Sequence, residues 1–570
     1  MIWRPSIETH LGISMPNPKV VNLDALIKRS DLNVPQKASQ SSDKQSNPSI
    51  YLEMLKAGAS YMGTLRKPDF QRETCSWSPS QIVNLIANHL DSQLIPAVIL
   101  WRNEDNEIFV IDGAHRLSAF IAWVNDDYGN GEISQAFFGK NRISDGQKEM
   151  DDTTRKLVEK DFWKYSQLAA LLSEKNPRWK SALQKKRANA IANIPINIQP
   201  LGGLAKEAEE AFVRINQGGV RISPTEAAII RKRDKPEGIA ARALLRAGNG
   251  YAYWNKCKVA DQAEIVKLAK EIDRMLYEPE STDEVYAAIP MAGKRYTSDA
   301  LGFLFHLIQV ANEMPPAASS LSPKIKTPKL KVKDLGQTTV RYLGRIRDLL
   351  AKIFSKKSGS LGLHPAVYCR SATGRFQPAA FYAQIQLVQY LESIPNGFHK
   401  FTDIREQFEE FLVKNKSIIN EIVRGKGSST KSLKTLSKIY LLIYAGFTQE
   451  NTYEKVKESI FSDKDFRRYL TQDLPLEGNG NLSSEAKAAV NMRIELENAP
   501  PCPECGARMH LLATSNDHGT PSEEGGSSHS SNLAKMHPFC NDGVKEKRRA
   551  LQKKTATKPE AGELPGLEHS

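Results

Sequence analysis

Between positions 78 and 125 the spacing of apolar residues changes several times, and each change predicts an element. Ser78 precedes Ile82, Val83, Leu85, Ile86 and Leu90, which recur at three- and four-residue intervals. That spacing predicts an amphipathic helix with Ser78 as its N-cap, ending near Asp91. The apolar run from Ile95 to Trp101 predicts a strand, Asn103 to Asn106 a turn, and Ile108 to Ile111 a second strand. Asp112-Gly113 then leads into a helix from about Arg116 to Asn125, and residues 64–72 read as an extended entry. Upstream the pattern is weaker. Residues 20–31 (VVNLDALIKRSD) fit one short helix or strand, and 36–49 form a polar, Ser-rich stretch without an apolar period. Residues 1–49 are therefore expected to be a peripheral extension and linker.

Further along, 126–195 is charged and helical in pattern, and is expected to be an insertion covering a pocket. Residues 261–278, 298–313, 337–356, 379–394, 401–420 and 434–446 each carry helical apolar spacing. Two basic stretches, 315–333 and 425–438, read as loops or arms able to track a phosphate backbone, or equally as solvated connections. The predicted fold class is multidomain α+β. An α+β N-terminal domain spans 50–240 and a mostly α-helical middle domain spans 241–465. A linker and lead-in helix (466–499), a small C-terminal domain (500–555) and a disordered tail (556–570) follow.

Composition bounds the function. The 570 residues suggest three or four domains, and 40% apolar content is enough for real cores. No stretch approaches a membrane span, and the N-terminus lacks a basic-then-apolar signal pattern, so a cytoplasmic protein is expected. Six cysteines, three of them close together near the C-terminus, do not suggest a disulfide framework. Cys75, Cys257 and Cys369 stand alone and are expected to be buried or inert. The net charge of +14 favours a polyanionic partner, with nucleic acid the natural candidate.

The candidate chemistry is concentrated in 501–541. Cys502-Pro-Glu-Cys505 and His537-Pro-Phe-Cys540 are two ligand pairs suited to a tetrahedral Zn²⁺ site of Cys₃His type. Taken alone, such a site serves equally well in a zinc knuckle that only grips DNA or a partner. Asp517-His518, Pro521, the Ser522–Gly526 turn, Asn532 and Asn541 are interleaved with the two pairs. In that order they resemble the HNH nuclease family, built on a ββα-metal finger. Hydrolysis of a phosphodiester needs a base for water and a cation against the phosphate and the leaving oxygen. The resemblance implies His518 as the base and Asn532 as the residue orienting its ring. It implies Asp517 and Asn541 as ligands of one catalytic Mg²⁺ or Mn²⁺, with the zinc purely structural. Asn541 stands where the family often has His. Lys545, Lys547, Arg548, Arg549, Lys553 and Lys554 follow, where the family places a basic helix against DNA. His510 and His529 are off the pattern and are expected to be exposed.

A second resemblance lies in the N-terminal domain. Pro68, Gln71, Arg72, Trp77, Ile95, Pro96, Asp112, Gly113 and Arg116, followed by Phe212, Arg214, Ile215, Asn216, Gly218 and Gly219, resemble the ParB-like domain of GmrSD-type restriction proteins. The resemblance implies a nucleotide- or phosphate-binding pocket drawn from Gln71, Arg72, Asp112, Gly113, His115, Arg116, Arg214 and Asn216, with ATP or GTP as candidate ligands. Backbone N–H groups at a strand-to-helix turn and bidentate arginines suit a phosphate. Asp112 would position a metal or water, or simply hold the turn. Ala114-His115 replaces the family's usual Gln-Gln, which brings the motif near the D-G-x-H-R form of proteins linked to phosphorothioate DNA. A sensor of DNA modification without NTPase activity therefore stays open. Together the two resemblances imply a modification-dependent, type IV anti-phage restriction endonuclease acting on phage or modified DNA. One HNH site cuts one strand, so double-strand cleavage would require a homodimer or two events. The rival reading is a non-catalytic DNA-binding regulator.

Overall fold

The computed structural model describes residues 20–32, 49–71, 73–140, 143, 145–218, 228–229, 232–277, 289–293, 299–312, 334–426, 429–465, 467–469, 484–518, 520 and 525–545. The chain divides into two compact units. One holds 1–231 with 249–251 and 296–300; the other holds 232–248, 252–295 and 301–570.

The first unit is built on a mixed sheet of β1 (Arg29–Ser30), β2 (Ser49–Ile50), β3 (Leu65–Pro68), β4 (Val98–Arg102), β5 (Ile108–Asp112) and β6 (Ile196–Leu201), in the order β1-β3-β5-β4-β6-β2. The hairpin of β4 and β5 is antiparallel, with Leu100 opposite Val110. The pairs β3–β5, β4–β6 and β1–β3 are parallel. A sheet buried on both faces needs apolar residues at successive positions rather than alternate ones, and β5 reads Ile-Phe-Val-Ile. Ile108 and Val110 face a helical layer of α2 (Pro79–Leu90), α3 (Ala114–Asn125), α5 (Asp145–Asp161) and α6 (Tyr165–Ser173). Phe109 and Ile111 face the opposite way, where Trp101, Phe70 and Phe212 of α8 (Ala205–Gly218) complete a second cluster. The short helices α1 (Ser60–Thr64), α4 (Glu132–Phe138) and α7 (Ala182–Asn193) complete the unit.

The α2 helix is capped as its sequence predicts. Ser78 Oγ accepts from the Gln81 backbone N–H, and the Gln81 side chain returns the bond to the Ser78 backbone. Two expectations are corrected. Residues 20–31 are not peripheral: Val21, Leu23, Leu26 and Ile27 enter the main core. The Asp24 carboxylate takes hydrogen bonds from Lys67, Arg29 and the Thr74 backbone. One buried anion thus holds two buried cations and ties the segment to β3. Burial pulls the Lys67 ammonium down to about 8, although Asp24 opposes the shift. Second, 126–195 is helical, but Met150, Val158, Phe162, Tyr165 and Leu168 belong to the main core instead of covering a pocket. Phe212 to Gly218 form the end of α8. Phe212 is held on the sheet by an edge contact with Phe70 at 5.1 Å.

The second unit is helical: α9 (Pro236–Leu245), α10 (Val259–Tyr277), α11 (Ala300–Asn312), α12 (Leu335–Ile353), α13 (Pro365–Tyr368), α14 (Pro378–Ser393), α15 (Gly397–Lys414), α16 (Ser417–Lys426), α17 (Ser429–Thr448), α18 (Tyr453–Ser462) and α19 (Ser484–Asn498). Five of the six helices expected from apolar spacing are present as single helices, and the sixth, 401–420, breaks between Lys414 and Ser417 into α15 and α16. The basic loop expected at 425–438 is instead the end of α16 and the first half of α17. There Ser432, Thr435, Leu436 and Ile439 are buried at helical spacing, so small polar residues extend the apolar stripe that begins at Leu436. The other expected basic arm, 315–333, lies outside the described residues.

Candidate metal centre

The C-terminal part of the second unit begins with a tight turn. The Cys502 N–H donates to the Ala507 carbonyl at 2.8 Å, and the Gly506 N–H to the Cys502 carbonyl at 2.9 Å. Gly506 has φ +69°, and a Cβ there would lie 2.5 Å from Glu406 Oε2, so the turn needs glycine. An antiparallel hairpin follows, with β7 (Ser515–His518) on β8 (Leu533–Met536). The chain then passes His537 into a π-helical turn, Cys540–Lys545.

This path gathers Cys502, Cys505, His537 and Cys540, whose ligand atoms all lie within 4.8 Å of one another. His537 Nδ1 is 3.4 Å from Cys505 Sγ and 3.9 Å from Cys540 Sγ. A zinc tetrahedron with ordinary bond lengths has S···N edges of about 3.5 Å, so the donor set fits that ion in spacing and chemistry. His537 Nε2 lies 3.2 Å from the Arg508 carbonyl and donates to it, which leaves Nδ1 as the ligand.

The cluster sits on a charged cradle. Buried Arg405 donates through Nε to Glu409 at 2.7 Å, and through its terminal nitrogens to the carbonyls of Leu361 (2.6 Å) and Gly362 (3.3 Å). Burial works against the charge on Arg405, and Glu409 more than offsets it, holding the guanidinium protonated. A site with three thiolates around a divalent ion carries net negative charge, and Arg405 lies where that charge needs balancing. Glu409 also accepts from the Arg508 backbone N–H at 3.2 Å, Glu410 accepts from the Arg508 guanidinium at 3.2 Å, and the Phe539 N–H donates to Ser360 O at 2.8 Å. Arg405, Glu409 and Ser360 carry no motif signal in the sequence. Only an arginine and a glutamate four apart on a helix hint at the pair.

Strand alternation puts Ser515 and Asp517 on one face of β7. Asn541 Nδ2 reaches Ser515 Oγ at 3.2 Å, and Lys545 Nζ bonds the Asp517 carboxylate and, at 2.8 Å, the His518 carbonyl. Asp517 and Asn541 therefore sit along the same side of the hairpin, clasped by the π-helical turn. His518 ends the strand half-buried, and its ring makes no hydrogen bond among the described residues. Asn532 does not bond that ring. Its Nδ2 donates to the carbonyls of Thr520 (3.0 Å) and Ser527 (2.7 Å), and its Oδ1 accepts from the Thr520 N–H at 2.7 Å. The whole amide is spent closing the 520–527 loop. Pro521, Ser522 and the basic residues from Lys547 onward lie outside the described residues. His529 is exposed, as expected. His510 is not: it is 5% exposed, accepts from the Leu512 N–H through Nδ1, and packs its ring 4.9 Å from His364. Burial drives its pKa down to about 4.

In the first unit, Gly113 is the left-handed N-cap of α3 at φ +89°. The Arg116 guanidinium folds back over it, where a Cβ would lie 2.9 Å away, and pairs with Asp112 at 2.6 Å. Gln71 Nε2 donates to the Val110 carbonyl at 3.2 Å, and Gln71 Oε1 is buried without a hydrogen-bond partner among the described residues. His115 Nε2 is 2.7 Å from Ser76 Oγ, and the ring stacks on Trp77. Gln71, Asp112, Gly113, His115 and Arg116 thus cluster around the end of β5, joined by Ser76, which no motif singled out. Arg214 is exposed on α8, and of Asn216 only the backbone place in that helix is described. Arg72 and Gly219 lie outside the described residues. Cys75 and Cys369 are buried and Cys257 is partly so. No helix of the described residues is long and apolar enough to cross a membrane.

No curated protein and no solved structure matches the chain. Residues 52–233 match the family model of the GmrSD restriction endonuclease N-terminal domain, and over that span the first unit is similar to this domain.

Proposed function

We propose that the chain is a metal-dependent DNA endonuclease of restriction type, with an HNH site at 500–555 gated by the ParB-like domain at 50–240. The observation that carries this reading is the C-terminal hairpin. A Cys₃His cluster fixes it, and its π-helical turn brings Asp517 and Asn541 to one face beside His518. The match to a restriction endonuclease domain over 52–233 supports a DNA substrate, as does the net charge of +14.

In this reading Asp517 and Asn541 hold one Mg²⁺ or Mn²⁺, hard cations suited to oxygen donors. When bound, the ion supplies positive charge to the phosphate and the leaving oxygen. His518 takes the proton from the attacking water through a ring nitrogen not committed to any described residue. Asn532 acts one step away, by closing the loop that follows β7. The cysteines and His537 bind Zn²⁺ for structure alone and fold a segment too small to bury a core of its own. In the first unit, Gln71, Asp112, Gly113, His115 and Arg116 form the candidate pocket for a nucleotide such as ATP or GTP, or for a DNA feature. Arg116 would exchange Asp112 for a phosphate there. Gating of this kind would restrict cleavage to phage or modified DNA.

The test is cleavage of unmodified plasmid and of modified phage DNA in Mn²⁺, with and without ATP or GTP. Modification-dependent cutting supports the reading, and a nucleotide requirement assigns the first pocket. Binding to every DNA without cutting any would replace it with the DNA-binding regulator.

A further inference from the structure

The contact that the HNH reading does not require is the one made by Lys545. Its ammonium sits between the Asp517 carboxylate and the His518 carbonyl, at the end of the π-helical turn whose other end places Asn541 on Ser515. Lys545 and Asp517 are both mostly sheltered, with side chains 16% and 15% exposed. A positive charge therefore already lies on one oxygen of the carboxylate that the proposed divalent ion would use. Two cations cannot share that oxygen at bonding distance without strong repulsion. An ion on either carboxylate oxygen therefore repels the ammonium and weakens its hold on Asp517.

We infer that Lys545 is a positioning residue for the Asp517 site. It holds the carboxylate in place while no divalent ion is bound, and competes with that ion for it. Displaced from Asp517, the ammonium takes the nearest anion that arrives with substrate, a phosphodiester oxygen. Divalent-ion binding and DNA binding are thereby coupled: DNA receives the lysine that the ion evicts. By linkage, each tightens the other. This inference rests on Asp517 being a ligand, as in the proposed function.

The experiment is titration of Mn²⁺ into the full-length, zinc-loaded protein, with free Mn²⁺ followed by electron paramagnetic resonance. It is run without DNA, and again with a DNA duplex in the His518→Ala background so that the duplex is not consumed. Lys545→Met and Lys545→Gln are compared with the unsubstituted chain, each checked for one zinc per chain. Without DNA, both substitutions should tighten Mn²⁺ binding about two- to fivefold, the size of one ion pair. With DNA, the unsubstituted site should gain affinity and the Lys545 variants should gain less. Asp517→Asn separates the two ideas. If it abolishes Mn²⁺ binding while both Lys545 variants bind no more tightly than the unsubstituted protein, the role of Lys545 is refuted and the metal site stands. If Asp517→Asn binds Mn²⁺ as before, Asp517 is not a ligand, and both fall together.

Discussion

Replacing Gly362 with alanine tests how the zinc cluster is seated. Gly362 has φ +58°, and an added Cβ would lie 2.7 Å from the Ala513 carbonyl oxygen and 3.0 Å from Cδ2 of the ligand His537. An alanine in the left-handed region costs about 1 kcal/mol or slightly more. Overpacking against backbone adds about 1–3 kcal/mol, because a carbonyl oxygen cannot swing aside as a flexible side chain can. The loop itself is pinned, since the Gly362 and Leu361 carbonyls both accept from Arg405. The strain is therefore relieved mainly by pushing His537 off its ligand position. With most of about 2–4 kcal/mol appearing in metal binding, zinc affinity falls by roughly tenfold or more. The assay is competition with a chromophoric chelator at neutral pH. Gly359 supplies the control. It has φ +78° in the same loop, yet a Cβ added there would meet nothing within 4 Å. Gly359→Ala should cost about 1 kcal/mol of unit stability and leave zinc affinity unchanged. Equal zinc affinities for the two variants would refute the seating described above.

Three other outcomes follow from buried charge. Arg405→Met strands Glu409 and should destabilise the second unit by about 3–5 kcal/mol, read from urea unfolding; a loss under about 1 kcal/mol would mean the carboxylate finds another partner. Asp24→Ala should cost the first unit about 3 kcal/mol, since Lys67 and Arg29 lose their shared buried anion; an unchanged midpoint would return residues 20–31 to the periphery. His510 titrates near 4 when folded and near 6.5 when unfolded. In that window the unfolded chain binds more protons, so stability falls as pH drops through it. The loss from this group between pH 7 and pH 5 is about 2 kcal/mol. His510→Asn, which can keep the bond to the Leu512 N–H, should flatten the slope by that amount. An unaltered slope would place the titration elsewhere.

What could be read from the sequence was what repeats or carries a motif. The N-cap at Ser78, the β4–β5 hairpin and five helices of the second unit follow from local spacing. The four zinc donors follow from two short ligand pairs. Contacts that depend on residues far apart were not legible. Asp24, Lys67 and Thr74 have no shared period, so the segment at 20–31 looked peripheral. The polar face of α17 resembled a loop because Ser432 and Thr435, though buried, are not apolar. His510 looked exposed because a histidine two residues before a buried leucine carries no sign of its own burial. Asn532 matched a motif position, but which atoms its amide would reach depends on how the 520–527 loop closes. Likewise, the bond from Lys545 to Asp517 depends on the π-helical turn, which no spacing announces.

The central claim is that the hairpin at 515–536 and its following turn form a phosphodiester-cleaving site. The most direct measurement is plasmid cleavage in Mn²⁺ by the unsubstituted protein beside His518→Ala and Asp517→Asn, with all three shown to carry equal zinc and to bind DNA equally. Cleavage by the first, with at least roughly a hundredfold loss in each variant, is the predicted result, in keeping with the typical contribution of a general base. Undiminished cleavage in both variants, or none by any of the three on modified and unmodified DNA alike, would contradict it.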